Sequence, residues 1–369
     1  MSTARKSDHL PQPTVALIRG DDRFDNVRHA LNALSSEVDL STVRSLLIKP
    51  NFVVPDRPLA GTDPEAVRAV LEFVRARYDG PVMIAEGSAS ADVWEAYDRY
   101  GFHDLARTYD AELANVNDDE GVEVTAWRWN MRPQVLRLSR RVVETDYRIS
   151  VGPPKTHDTV IVTLSLKNMV MGSLLSGLGT TNSRNGHDQG SARWAAWMRK
   201  LNRRIGPYFE RSSLFLGLRA GYFGLLMGAH SHKAAMHQGF GAMNLNLARL
   251  APYVFPHLSV IDGFRGMEGE GPTQGQAVDW RIAVASTDWL AADAMLTHLM
   301  GYSLAEVGYL SYCAQLGMGE ADYQRMNVIG NVSPNQVRRR FTPHPSYRWQ
   351  RRWHVRHPVA HLRPAVGDS

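Results

Sequence analysis

Tyr147-Arg148-Ile149-Ser150-Val151 leads straight into Gly152-Pro153-Pro154-Lys155-Thr156-His157, and Leu166-Lys167-Asn168 follows a short way on. The first five residues read as a buried strand. The glycine and the two prolines end it, because proline has no N–H for a ladder and a fixed φ. In an open α/β sheet, ligands bind in the crevice beyond the carboxyl ends of the strands. The stretch therefore predicts that Lys155, His157, Lys167 and Asn168 gather at such a crevice. Lysine is a mobile positive charge whose pKa falls on burial, and histidine exchanges a proton near neutral pH. Together they suit acid–base chemistry on an anion. The simpler reading is packing, in which the lysines pair with Glu86 or Asp262 and tie strand ends together.

Working outward, the same strand-then-turn arrangement recurs. Val15–Ile18, Leu46–Ile48 and Val82–Ala85 are short apolar runs, and Leu258–Ile261 and Ile282–Ala285 add two more. Helical spacing lies between them, over Phe24–Leu34, after Pro64 and over Val93–Tyr100, with later patterns at Trp289–Met300 and Leu304–Leu316. Asp63 before Pro64 predicts an N-cap followed by proline at the first helical position. Residues near Ala114–Val116, Val122–Ala126 and Val135–Leu138 read as a β-rich excursion. Short strands alternating with helices predict an α/β fold: a mostly parallel, helix-covered sheet with a crevice at the strand carboxyl ends.

The chain of 369 residues is 44% hydrophobic, which suits a globular core. It divides into a first part of the α/β core (14–172), an insertion (173–235), a second part (236–330) and a tail (331–369). The insertion breaks the rhythm with Gly177, Gly179, Asn182 and Gly186, a tryptophan- and arginine-rich pattern over Ser191–Arg204, and an apolar run over Ser212–Gly228. That run is too short and interrupted for a membrane span, so a helical lid or a homo-oligomer surface is expected. The tail holds eight arginines and one aspartate, a larger positive balance than the whole chain's +5. Phe341, Tyr347, Trp349 and Trp353 interleave with those arginines, predicting either docking on the domain or an acidic partner surface, with nucleic acid the least favoured. A single cysteine, Cys313 in an apolar helical stretch, excludes a disulfide framework and favours a reducing, cytoplasmic compartment. Met1–Pro13 carries no apolar signal segment. No phosphate loop or dinucleotide fingerprint is present.

Two further sets of polar residues follow predicted strand ends. Lys49 and Asn51 flank Pro50, facing the same crevice as substrate-binding groups. Glu86, Asp262 and Glu270 form an acidic set, with Glu268 and Asp293 nearby. Carboxylates gathered with lysines can hold a divalent metal such as Mg²⁺ against an anion; ion pairs and turn capping are the alternative. Gly87-Ser88-Ala89-Ser90 is a weak candidate for an anion loop at a helix N-terminus.

The ordered set of motifs resembles the family of domains of unknown function called DUF362. The match runs from Ile48-Lys49-Pro50-Asn51 through Gly61-Thr62-Asp63-Pro64, Ile84-Ala85-Glu86-Gly87-Ser88, Lys155-Thr156-His157 and Leu166-Lys167-Asn168-Met169. It continues through Ile261-Asp262-Gly263, Gly266 to Pro272 and Asp288 to Asp293. The resemblance places a histidine near His237, implying that His237 reaches the pocket. Some members resemble iron–sulfur proteins through appended cysteine-rich modules. A four-thiolate cluster cannot be built from one cysteine, so no iron–sulfur cluster is expected.

These readings converge on an enzyme that binds a small anionic substrate through Lys49, Lys155 and Lys167, with His157 moving a proton and Asn51 and Asn168 orienting. Isomerase or lyase chemistry fits better than redox. Mg²⁺-dependent phosphoryl or nucleotide chemistry is one alternative. A non-enzymatic ligand-binding or assembly protein is another.

Overall fold

Alternate residues of most central strands feed two different cores. Leu47 packs on one face of the sheet while Leu46 and Ile48 pack on the other, and Val15 and Leu17 alternate in the same way with Ala16 and Ile18. A sheet covered on both faces explains why these strands read as continuous apolar runs rather than alternating ones. The computed structural model describes residues 12–88, 92–176 and 232–362. The expected loop, helices and apolar run of the insertion lie almost wholly outside the described residues, as do residues 89–91 of the candidate anion loop.

The strands are β1 (Thr14–Arg19), β2 (Leu46–Lys49), β3 (Val82–Glu86), β4 (Ala111–Asn115), β5 (Gly121–Trp127), β6 (Pro133–Ser139) and β7 (Tyr147–Gly152), then β8 (Lys155–His157), β9 (Ile161–Thr163), β10 (Leu258–Glu268), β11 (Gln276–Ser286) and β12 (Asn327–Gly330). Among the described residues the main sheet runs β12-β1-β11-β10-β7-β2-β3-β4, with β8 attached to β10 and β9 to β8. Pairings β12–β1, β10–β7, β7–β2, β2–β3 and β3–β4 are parallel. Only β11 runs against its neighbours in that order. The mostly parallel α/β class read from the sequence is the fold observed, with β5 and β6 forming the separate hairpin of the excursion.

The helix Pro64–Arg75 shows how local sequence sets an element. Asp63 accepts from Glu65 N at 3.0 Å, and Pro64 opens the first turn. Its buried Val67, Val70, Leu71 and Val74 face the sheet together with the helix Arg23–Ala33. The opposite face is covered by the helices Ser165–Ser173, Phe240–Val254, Trp289–Leu299 and Gly308–Gln315, whose apolar residues form the second core. Cys313 is buried there as a core residue. No helix of the described residues is long and apolar enough to cross a membrane.

The sequence reading did not foresee that Lys155-Thr156-His157 forms the strand β8, which bridges to β10 at Met267 and pairs antiparallel with β9. Of the two alternatives for the tail, the structure shows docking on the domain. Phe341, Gln350 and Trp353 are buried, Phe341 lies against Trp280, and Trp353 against Tyr312. Arg338, Arg340 and Arg351 line an open groove of about 1070 Å³ that also contains Glu306 and Glu320, and Arg351 is 3.4 Å from Glu306.

Candidate functional site

The carboxyl ends of β2, β3 and β7 lie side by side, and each delivers polar groups to one place. Lys49, the last residue of β2, is fully buried. Its Nζ donates to Glu86 Oε2 at the end of β3, to Pro50 O at 2.8 Å and to Asn168 Oδ1 at 3.3 Å. The helix Ser165–Ser173 reaches this point because Gly172 has no side chain: a Cβ there would sit 2.2 Å from Lys49 Cε. Asn168 spans two strands, with Nδ2 donating to Lys49 O and to Ser150 Oγ, both at 3.1 Å. Burial pushes the Lys49 pKa down against the pull of Glu86.

Lys155 enters from β8. Its Nζ donates to Asn51 Oδ1 and to Ala60 O at 2.7 Å. Asn51 is itself fixed by Thr62, whose hydroxyl accepts from Asn51 N at 2.7 Å and donates to Val151 O at 2.9 Å. Both carboxamides expected to orient substrate are thus engaged by lysines. The gap between Asn51, Ser150, Gly152 and Asn168 is about 10 Å³, room for roughly one water. Burial, and then the charge of Lys167, push Lys155 down to about 7.

His157 lies two residues along β8 and is buried. Thr159 N donates to its Nδ1 at 3.0 Å, which places the proton of the neutral ring on Nε2. Asp158 Oδ1 is also 3.0 Å from Nδ1, an ion pair only when the ring is charged. Burial, followed by Lys167, with smaller contributions from His237 and His344, holds His157 well below its ordinary pKa. The ring is therefore a neutral N–H donor at physiological pH. Its proton-accepting nitrogen is already used.

Lys167 is 8% exposed and sits in the first turn of the helix Ser165–Ser173. Burial pushes it down to about 8 against the pull of Asp158. A fourth lysine completes the cluster. Lys233 is fully buried, donates to Gly87 O at 2.7 Å, to Leu174 O and to Asn117 Oδ1 at 3.2 Å, and is pushed by burial to about 7. The sequence reading passed over it. Its signal was a lone charge beside Ala234, Ala235 and Met236. His237 does lie near: its Nδ1 is 2.9 Å from Lys233 O, and its charge weighs on His157.

The acidic set does not gather as expected for a metal. Glu86 is taken by Lys49. Asp262 pairs with Arg23 at 3.1 Å and accepts from Phe264 N at 3.0 Å; burial raises its pKa to about 6. Arg23 in turn pairs with Asp63. Glu270 is half-buried in the turn after β10, whose Gly271 lies so close to β8 that a Cβ would meet Thr156 O at 2.0 Å. Among the described residues no three His, Cys, Asp or Glu side chains stand close enough to hold a metal ion. Asp293 has a different task. Its two oxygens accept from Ser165 N at 2.9 Å and Leu166 N at 3.0 Å, capping the helix that carries Lys167 and Asn168.

The tail closes the outer side of this arrangement. Gln350 Nε2 donates to His157 O at 2.7 Å, its Oε1 accepts from Ile161 N, and Ser346 Oγ donates to Asp158 O at 2.7 Å. One buried glutamine thus bridges both strands of the β8–β9 hairpin. Nothing in the composition of the tail singled it out.

Among proteins of known name, the Thylakoid-associated protein sll1697 of Synechocystis is 22% identical to this chain over 278 residues, covering 74% of the chain and 68% of that protein. Among solved structures, the lactate racemase apoprotein of Thermoanaerobacterium thermosaccharolyticum overlays with a TM-score of 0.42 and 12% identity. That overlay covers 79% of this chain and 58% of the longer one, a likeness too slight to bear on activity. A family profile matches residues 46–298, the span that holds every lysine of the cluster, and the chain belongs to the family described as Domain of unknown function (DUF362).

Proposed function

We propose that the chain is an enzyme acting on a small anionic substrate through lysine-centred acid–base chemistry of the isomerase or lyase type. The observation that carries this reading is the charge imbalance at the strand ends. Four buried lysines, Lys49, Lys155, Lys167 and Lys233, stand against two carboxylates: the buried Glu86, which is taken by Lys49, and the part-exposed Asp158, whose charge acts on Lys167. A buried ammonium without a counter-charge is costly. It loses its proton or is satisfied by an anion.

Both outcomes serve catalysis. An anionic group on the substrate supplies the missing negative charge. Lysines poised near 7 and 8 exchange protons at neutral pH, where general acids and bases work best. His157, neutral with its proton on Nε2, donates a hydrogen bond to a substrate oxygen rather than accepting a proton. Asn51 and Asn168 hold Lys155 and Lys49 in place. Glu86 opposes the loss of a proton from Lys49 that burial favours. The metal-assisted form of the reaction has no support from the scattered carboxylates.

The test is thermal stabilisation of dialysed protein by acetate, pyruvate and phosphate near neutral pH, compared with Lys155→Met and Lys167→Met. A ligand that binds only the folded chain raises its stability in proportion to the logarithm of concentration. At least one anion should raise the melting temperature of the wild type, and the shift should vanish in either variant. Equal shifts in all three proteins, or none, would remove the anion site.

A further inference from the structure

The docked tail lines two grooves, and their charge differs. The larger one matches its arginines with acid: Arg351 lies 3.4 Å from Glu306, and Glu320 lines it as well. The smaller one, of about 440 Å³, holds Arg352, Arg356 and His354. Among its described lining residues there is no aspartate or glutamate. Among the described residues no carboxylate pairs with Arg352 or Arg356.

Three separate pieces of chain build this smaller groove. The turn between β5 and β6 supplies Trp129, the opening of the helix Phe240–Val254 supplies a wall from Gln238 to Ala242, and the tail supplies Trp349 and the arginines. The pieces are fastened to one another. Gln238 Oε1 accepts from Trp129 N at 3.2 Å. A Cβ on Gly241 would sit 3.1 Å from Val355 Cγ2, so the tail lies directly on the start of the helix.

Trp129 is the informative member. It is half-buried, yet it packs into neither core, and no ring of the described residues lies against it. Trp127, two residues back, does the opposite: it packs against the core and donates from Nε1 to His361 O at 2.8 Å. A large ring lining a cavity without a packing partner has surface to offer to a flat group. Arg352 is stationed over the Trp349 ring, 4.7 Å from its centroid, where cation–π attraction orders the guanidinium. A guanidinium fork takes two phosphate oxygens at once. Two such forks on one cavity favour a dianion over a singly charged carboxylate.

We propose that this groove binds a nucleoside monophosphate, its phosphate on Arg352 and Arg356 and its base against Trp129. The volume is that of a small-molecule site, which runs from roughly 300 to 1,000 Å³. The groove shares no lining residue with the gap at Asn51 and Asn168. It therefore stands apart from the lysine cluster and does not depend on the acid–base reading.

The experiment is calorimetric titration of the full-length protein with adenosine monophosphate, with inorganic phosphate and with a single-stranded oligothymidylate. The nucleotide should bind one to one. Arg352→Gln and Arg356→Gln should each weaken it about tenfold, the loss expected for one charge-assisted hydrogen-bonding group. Trp129→Ala should weaken the nucleotide by a similar factor, since a base loses its stacking surface, and leave the weaker binding of inorganic phosphate unchanged. These three residues lie outside both cores, so the variants should melt as the wild type does. Lys155→Met should bind the nucleotide with wild-type affinity. No binding of the nucleotide, affinity that survives both arginine changes, or affinity that falls with Lys155→Met would each overturn the site. Phosphate bound as tightly as the nucleotide would overturn the part given to Trp129. A preference for the oligothymidylate would overturn the mononucleotide in favour of a strand.

Discussion

Lys49 and Lys167 share a residue type and a neighbourhood, yet one is paired with a carboxylate and the other is not. That difference sets what each can do. Glu86→Gln removes the charge that, among the described residues, offsets Lys49, and breaking a buried pair from one side costs about 3–5 kcal/mol. Chemical denaturation should show a loss of that size; a change under about 1 kcal/mol would mean that the pair is dispensable. The lysines also predict a pH dependence. Lys155 and Lys233 hold folded-state values of about 7, against an ordinary 10.5. Between those limits the unfolded chain binds more protons than the folded one, so their contribution to stability rises with pH from about 7 to about 10. Lys155→Met should flatten that rise. Parallel stability–pH curves for wild type and variant would contradict the buried, depressed lysine.

The elements around the site were legible in proportion to how local their determinants are. The helix Pro64–Arg75 followed from Asp63 and Pro64, and β2, β3 and β7 from their apolar runs, because those signals sit in the residues themselves. The grouping of Lys49, Glu86, Lys155 and Lys167 followed from placing each near a strand end. The β8–β9 hairpin did not, because its pairing depends on β10 and on Gln350, about two hundred residues away in the chain. Asp293 was visible as a lone carboxylate in an apolar helix, but its role as a cap needed the three-dimensional contact. Asp293→Ala leaves Ser165 N and Leu166 N without acceptors. Each buried orphan donor costs about 1–3 kcal/mol. With two donors orphaned, the variant should lose about 2–6 kcal/mol of stability and, by loosening the first turn that carries Lys167, weaken anion stabilisation. A variant that binds anions as the wild type does would separate the cap from the site.

At the scale of the molecule, the family match ends at residue 298 while the folded unit runs on to Leu362. β12 pairs with β1, and Phe341 and Trp353 fill the second core. The sequence left the tail between docking on its own domain and meeting an acidic partner. Phe341 and Trp353 bury large apolar surfaces against the domain, which is the docking alternative. Phe341→Ala should cost about 3–5 kcal/mol, and a chain cut before Phe341 should melt well below the full-length protein. A truncated chain with an unchanged melting temperature would show that the docking contributes nothing.

Gln350 joined to His157 also sets an order of events in time. During synthesis, His157 leaves the ribosome 193 residues before Gln350 does. The hairpin that carries Lys155 and His157 therefore waits, without its bridging glutamine, until nearly the whole described chain has been made. A nascent or prematurely ended chain has the lysines but not the bridge that sets the hairpin. The lysine cluster thus gains its bridging glutamine only late in synthesis.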